Sequence, residues 1–84
     1  MKILYFAWVR STIGKGMDQL DGKPEGVQTV ADLLDWLSGQ GEGYSKALEK
    51  RDRIRVAINQ DFAEPDATLN DGDEVALFPP VTGG

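Results

Sequence analysis

Hydrophobic and polar positions alternate along this chain in blocks that change period. Lys2 to Arg10, KILYFAWVR, is apolar from Ile3 to Val9, rich in aromatic and β-branched residues and bounded by charge, and predicts a strand. Lys2, Leu4, Phe6, Trp8 and Arg10 share one parity, while Ile3, Tyr5, Ala7 and Val9 share the other. Both charged ends fall in the first set, so that set is expected to face outward. Gly14 and Gly16 place a turn within Ser11–Gly16, leading to a weaker second strand over Met17–Leu20. The segment Asp21–Gly26, DGKPEG, is a loop. Beyond it the period becomes helical: Thr29 is an N-cap with Asp32 three residues on, close to a capping box, and Val30, Leu33, Leu34 and Leu37 form an i, i+3, i+4, i+7 stripe. That helix is expected to run to about Ser38 and to stop at Gly39 and Gly41. A further short helix is expected over Tyr44–Lys50.

Alternation returns at Arg53–Asn59, where Ile54, Val56 and Ile58 share the face expected to be buried, opposite Arg53, Arg55, Ala57 and Asn59. Phe62–Glu64 makes a short edge strand before Pro65. Asn70-Asp71-Gly72-Asp73 is a turn into a last strand, Glu74–Phe78, with Val75 and Leu77 inward and Phe78 outward. Pro79 and Pro80 have no amide donors, so they end this strand and hold the chain extended. The order of elements predicts an α+β domain over 1–78, with a mixed sheet of four to five strands and one main helix on one face, followed by an extended tail over 79–84.

Eighty-four residues supply one small core. The chain has no cysteine and no histidine, which removes disulfides, thiolate nucleophiles, the commonest zinc ligand and the usual neutral-pH general base. Catalysis by this chain alone is not expected. Nine Lys and Arg against fourteen Asp and Glu give a net charge of −5, unsuited to nucleic acid unless the cations are clustered. The opening apolar run is too short to span a bilayer and lacks a small-residue cleavage site, so a cytoplasmic protein without a membrane partner is expected.

Two features carry candidate chemistry. The first is the tail Val81-Thr82-Gly83-Gly84 after the proline pair, whose bare glycine backbone suits a channel too narrow for side chains. Its reactive group is the terminal carboxylate, a poor electrophile until activated, for example as an acyl phosphate. The alternative is an inert, glycine-ended terminus on a non-covalent binding module. The second feature is the outward apolar set Leu4, Phe6, Trp8 and Phe78, which Phe62 would extend into one docking patch at the root of the tail if the first and last strands are neighbours. A run apolar on both faces also fits a central strand covered on both sides. Gly14-Lys15-Gly16 lacks the spacing of a phosphate loop, and Asp71, Asp73 and Glu74 lack the further ligands of a calcium loop, so no metal site is expected. Glu49–Arg53, EKRDR, is a solvated face, with Arg53 and Arg55 as minor candidates for contact with an acidic partner.

The terminal stretch Asn70–Gly84, NDGDEVALFPPVTGG, together with Phe6–Arg10, FAWVR, resembles the small subunits of molybdopterin synthase, the MoaD family of ubiquitin-like sulfur carriers. The resemblance spans nearly the whole chain and is weakest over Met17–Gly43. It implies a β-grasp fold and a carrier cycle on Gly84. An activating enzyme would adenylate that carboxylate with ATP and magnesium, and a sulfur donor protein would convert it to a thiocarboxylate. The large synthase subunit would then take up the tail, so that the terminal sulfur builds the dithiolene on a pterin precursor within a heterotetramer. The carrier itself would bind no cofactor. Matched by position, Phe6, Phe62 and Phe78 imply hydrophobic partner contacts and Arg10 a polar contact beside them. Trp8 stands where a polar residue is frequent in the family, which implies either a larger patch or a packing role. Thiamine-pathway carriers and protein-conjugating modifiers share the Gly-Gly ending and are the alternatives within the carrier class.

Overall fold

A computed structural model of the chain describes residues 1–80; the tail residues Val81, Thr82, Gly83 and Gly84 lie outside the described residues. At the centre of the sheet β1 (Lys2–Tyr5) and β5 (Glu74–Phe78) run parallel, pairing Lys2 with Glu74 and Tyr5 with Leu77. Antiparallel to β1 lies β2 (Met17–Gln19), and on the other side β3 (Arg55–Ile58) pairs antiparallel with β5, with β4 (Asp61–Ala63) outside it. The order is therefore β2-β1-β5-β3-β4, a mixed five-stranded sheet that agrees with the β-grasp expectation.

Three α-helices accompany the sheet rather than one main helix and one short one: α1 (Ala7–Ile13), α2 (Val30–Ser38) and α3 (Glu42–Leu48). The capping box at the start of α2 is complete. Thr29 Oγ1 accepts from the Asp32 amide at 3.2 Å, and Asp32 Oδ2 accepts from the Thr29 amide at 3.1 Å. The predicted stripe Val30, Leu33, Leu34 and Leu37 is buried, meeting Ile3, Tyr5, Val56, Val75 and Leu77 from one face of the sheet. Removing these groups from water is the main driving term for a domain this small.

The predicted first strand, Lys2 to Arg10, is corrected by the structure: it ends at Tyr5 and α1 takes up the rest. The Phe6 amide bonds to the Leu77 carbonyl at 3.1 Å, and Ala7 then turns the chain at φ +53°, a left-handed conformation more tolerable for Ala than for a bulkier residue. The Phe6 carbonyl accepts from Val9 and Arg10, and the helix closes at Gly14 in a left-handed cap. Tyr5, Val9 and Ile13 are spaced by four, so helical period keeps Val9 in the core as strand parity would have. Gly43 lets α3 approach α1: a Cβ there would stand 2.8 Å from the Thr12 carbonyl oxygen.

Polar clasps fix the remaining connections. Tyr5 and Tyr44 both donate to Asp18 Oδ2, at 2.7 and 2.5 Å, while Lys15 pairs with Oδ1 at 3.1 Å, joining β1, α3 and β2. Burial pushes the Asp18 carboxyl up, but the hydrogen bonds from Tyr44, Tyr5 and Lys15 outweigh it and hold the group below its ordinary range. Burial, followed by the bond to Asp18, raises both tyrosine hydroxyls. Asn59 and Gln60 connect β3 to β4 with φ of +51° and +75°, the signs of a type I′ hairpin.

Candidate functional site: an open sheet face at the root of the tail

The helices cover one face of the sheet, and the register assembles the other. Leu4 lies between Met17 and Ala76, and Ala57 between Ala76 and Phe62, so Met17, Leu4, Ala76, Ala57 and Phe62 form one apolar row across all five strands. Phe78 stands opposite Arg55 on the same face, and Phe6, still extended at φ −126° and ψ 155°, continues the parity of Leu4. The two rings Phe62 and Phe78 approach to 5.8 Å between centroids across β3, where Ala57 is small enough to lie beneath them. Phe6, Met17 and Phe62 are 47%, 42% and 78% exposed. They are the large hydrophobic residues left exposed among the described residues, and all three lie on this face, which a lone domain has no reason to leave apolar.

The structure thus brings Leu4, Phe6, Phe62 and Phe78 together as the parity argument expected. Trp8 does not join them. It sits on α1, half-buried against the core, with Lys50 Nζ 5.7 Å from its ring centroid, so its role is packing and a cation–π contact. Arg10 is exposed on α1 at the end of the sheet where Phe6 leaves it, its guanidinium beside Gly16. Ala57 and Ala76 lie on the face as their outward parity expects, whereas Met17 was not anticipated; the parity of β2 was the available signal.

Pro79 and Pro80 follow Phe78 directly and are half-buried. Pro80 joins Phe62 and Phe78 along a groove of about 880 Å³ that turns round the sheet edge onto Leu34, Ile54 and Val56. The first residues of the expected tail therefore start from the rim of the aromatic face. The acidic turn before β5 has a structural use: Asp73 accepts from the Asn70 amide at 2.8 Å and from Asn59 Nδ2 at 3.0 Å, and Asp71 accepts from the Lys23 amide at 3.0 Å. Among the described residues no group of His, Cys, Asp or Glu is arranged to hold a metal, and no helix is long and apolar enough to cross a membrane. An apolar face with cations at its edge is equipped to bind another protein rather than to transform a small molecule.

The ThiS family model matches residues 3–84. The molybdopterin synthase sulfur carrier subunit of Escherichia coli is 38% identical over 84 residues, covering 100% of this chain and 99% of that protein. The Haemophilus influenzae protein of the same name is 37% identical over 84 residues, with the same coverage. Among solved structures, SAMP1 of Haloferax volcanii superposes with a TM-score of 0.73 at 34% identity, covering 100% of this chain and 98% of that one.

Proposed function

The chain belongs to the ThiS family and, within it, to the MoaD-type sulfur carrier subunits, and from that premise we propose that Gly84 is where the sulfur is carried. It is a carrier subunit rather than an enzyme, in keeping with the lack of Cys and His. In the proposed cycle an activating enzyme uses ATP and magnesium to convert the Gly84 carboxylate to an acyl adenylate. Sulfide-level sulfur delivered by a sulfur donor protein then attacks the acyl carbon and displaces AMP, leaving a thiocarboxylate. The large subunit of molybdopterin synthase receives this tail in the cytoplasm, in a heterotetramer; two thiocarboxylated chains in turn each pass one sulfur to a pterin precursor, giving the two sulfurs of a dithiolene, and water returns each Gly84 to its carboxylate.

One observation carries the reading at this chain's own residues: the register ends the central strand β5 at Phe78, so the segment Pro79-Pro80 departs from the edge of the face that, among the described residues, holds the exposed large apolar groups. Docking through Leu4, Phe6, Phe62 and Phe78 would fix the root of the tail and set how far Gly84 reaches, four residues beyond Pro80. The direct test is the intact mass after incubation with an activating enzyme, magnesium, ATP and a sulfur source. One oxygen replaced by sulfur is expected, and its absence from a chain lacking Gly84 assigns the site. No such gain in the full chain would overturn the carrier site.

The likeness to SAMP1 of Haloferax volcanii, named small archaeal modifier protein 1, favours conjugation to other proteins as the second reading. Under that reading the activated chain forms adducts with lysine side chains of other proteins, visible as added mass on those proteins.

A further inference from the structure

Residues 49–55, EKRDRIR, join α3 to β3 and carry Lys50, Arg51, Arg53 and Arg55 against Glu49 and Asp52. In a chain of net charge −5 this is a local excess of positive charge. The register fixes its position: Arg55 is paired with Phe78, so the segment lies at the end of the sheet from which Pro79 and Pro80 depart. Its cations are engaged to different degrees, Lys50 also lying 5.7 Å from the Trp8 ring centroid. Arg51 is half-buried and bound to Asp35 at 2.8 Å, whereas Lys50, Arg53 and Arg55 are exposed and form no ion pair among the described residues.

The opposite end of the sheet has the reverse sign. The turns on either side of Lys23 and before Glu74 touch there, through the Lys23 amide on Asp71, and gather Asp21, Glu25, Asp71, Asp73 and Glu74 against Lys2 and Lys23. The two ends of the sheet therefore differ in their charged groups, with Pro79 and Pro80 at the end that carries Lys50, Arg53 and Arg55, where Asp52 and Glu64 are the nearby acids. A body whose charges differ from end to end approaches a charged surface oriented, which raises the productive fraction of encounters.

We propose that Lys50, Arg53 and Arg55 form an electrostatic docking surface for a carboxylate-rich patch on the protein that receives the tail. This deepens the carrier reading and rests on it. An acidic partner patch favours the orientation that brings the cationic end, and with it Pro79 and Pro80, forward. A basic partner patch would instead draw in the acidic end and leave Pro79 and Pro80 on the far side. The sign of the partner surface is thus set by where the cations sit relative to Pro80.

Stopped-flow association of the full chain with the large subunit of molybdopterin synthase, at low and high ionic strength, tests this. The charge-reversed pair Arg53→Glu, Arg55→Glu is expected to lower the association rate constant about tenfold at low salt, with little change in dissociation and a flattened salt dependence. Glu25→Lys, at the far end, is expected to leave the association rate within about twofold. An unchanged or faster association for the charge-reversed pair would overturn the docking surface while leaving the carrier reading intact. Failure of the unaltered chain to bind the large subunit at all would overturn the carrier reading itself. Should charge reversal impair folding, Arg53→Gln with Arg55→Gln applies the same test, with about a threefold reduction expected.

Discussion

Truncating Phe78 separates a docking face from a second core layer. Phe78 and Leu77 are neighbours in β5 that point to opposite faces. Leu77 is fully buried among Ile3, Leu33 and Val56, so Leu77→Ala should cost the free domain about 2–5 kcal/mol through lost burial and the cavity left behind. Phe78 is only partly covered, and its main aromatic neighbour, Phe62, is 78% exposed. The ring pair contributes about 0.5–1.5 kcal/mol, and partial exposure limits the rest, so Phe78→Ala should destabilise the isolated domain by only about 1–2 kcal/mol. In a complex the same ring lies beside the tail root, where a desolvated aromatic anchor is worth about 2–4 kcal/mol, or about 30- to 1,000-fold in Kd.

Urea unfolding of the free domain and calorimetric titration with the large subunit supply the two numbers. Leu77→Ala should lose folding stability first, and Phe78→Ala should lose binding while remaining folded at the assay temperature. A Phe78→Ala domain destabilised as much as Leu77→Ala, with affinity preserved in the folded fraction, would mean that the open face is packed in the free protein. That result would refute the argument from register and exposure.

Three further outcomes follow from the scaffold. Gly43→Ala places a Cβ 2.8 Å and 3.0 Å from the Thr12 and Ile13 carbonyl oxygens, which are backbone and cannot rotate away, so thermal unfolding should report a loss of about 1–3 kcal/mol. Gln60→Gly relieves a non-glycine residue held at φ +75° in the β3–β4 turn, and denaturant unfolding should show a gain of about 0.5–1 kcal/mol. The pH dependence has a defined sign: the Asp18 carboxyl is held low when folded, so its contribution is present above the ordinary carboxylate pKa and is lost as pH falls through the depressed value. Asp18→Asn should therefore be less stable at neutral pH and show a shallower acid limb in unfolding-midpoint measurements, and an unchanged limb would refute that role for the Tyr5–Asp18–Tyr44 clasp.

Local rules were enough wherever a single period or a single turn decided the outcome. The capping box at Thr29 and Asp32, the stripe of α2 and the bounds of β5 all depend on residues within one or two turns of one another. The helix α1 was not legible as such, because Tyr5 and Val9 are buried by alternation in a strand and by four-residue spacing in a helix alike. What decides between them lies elsewhere in the chain: Leu77 accepts the last ladder bond from Phe6, and Gly43 opens space for α1 to pack against α3. Trp8 followed α1 out of the aromatic set for the same reason. The face survived this error because its members depend on the register of β1, β5, β3 and β4 rather than on the length of β1. Phe6 remains on it as the last extended residue before Ala7 turns the chain. The correction also sharpens the function, since a strand continued to Arg10 would have carried Trp8 past the sheet into the space beside the proline pair. By ending at Tyr5, the strand confines the apolar surface to the sheet and leaves the end from which Pro79 and Pro80 depart bordered by Arg10, Arg53 and Arg55, so that apolar docking and charge steering occupy adjoining parts of the surface.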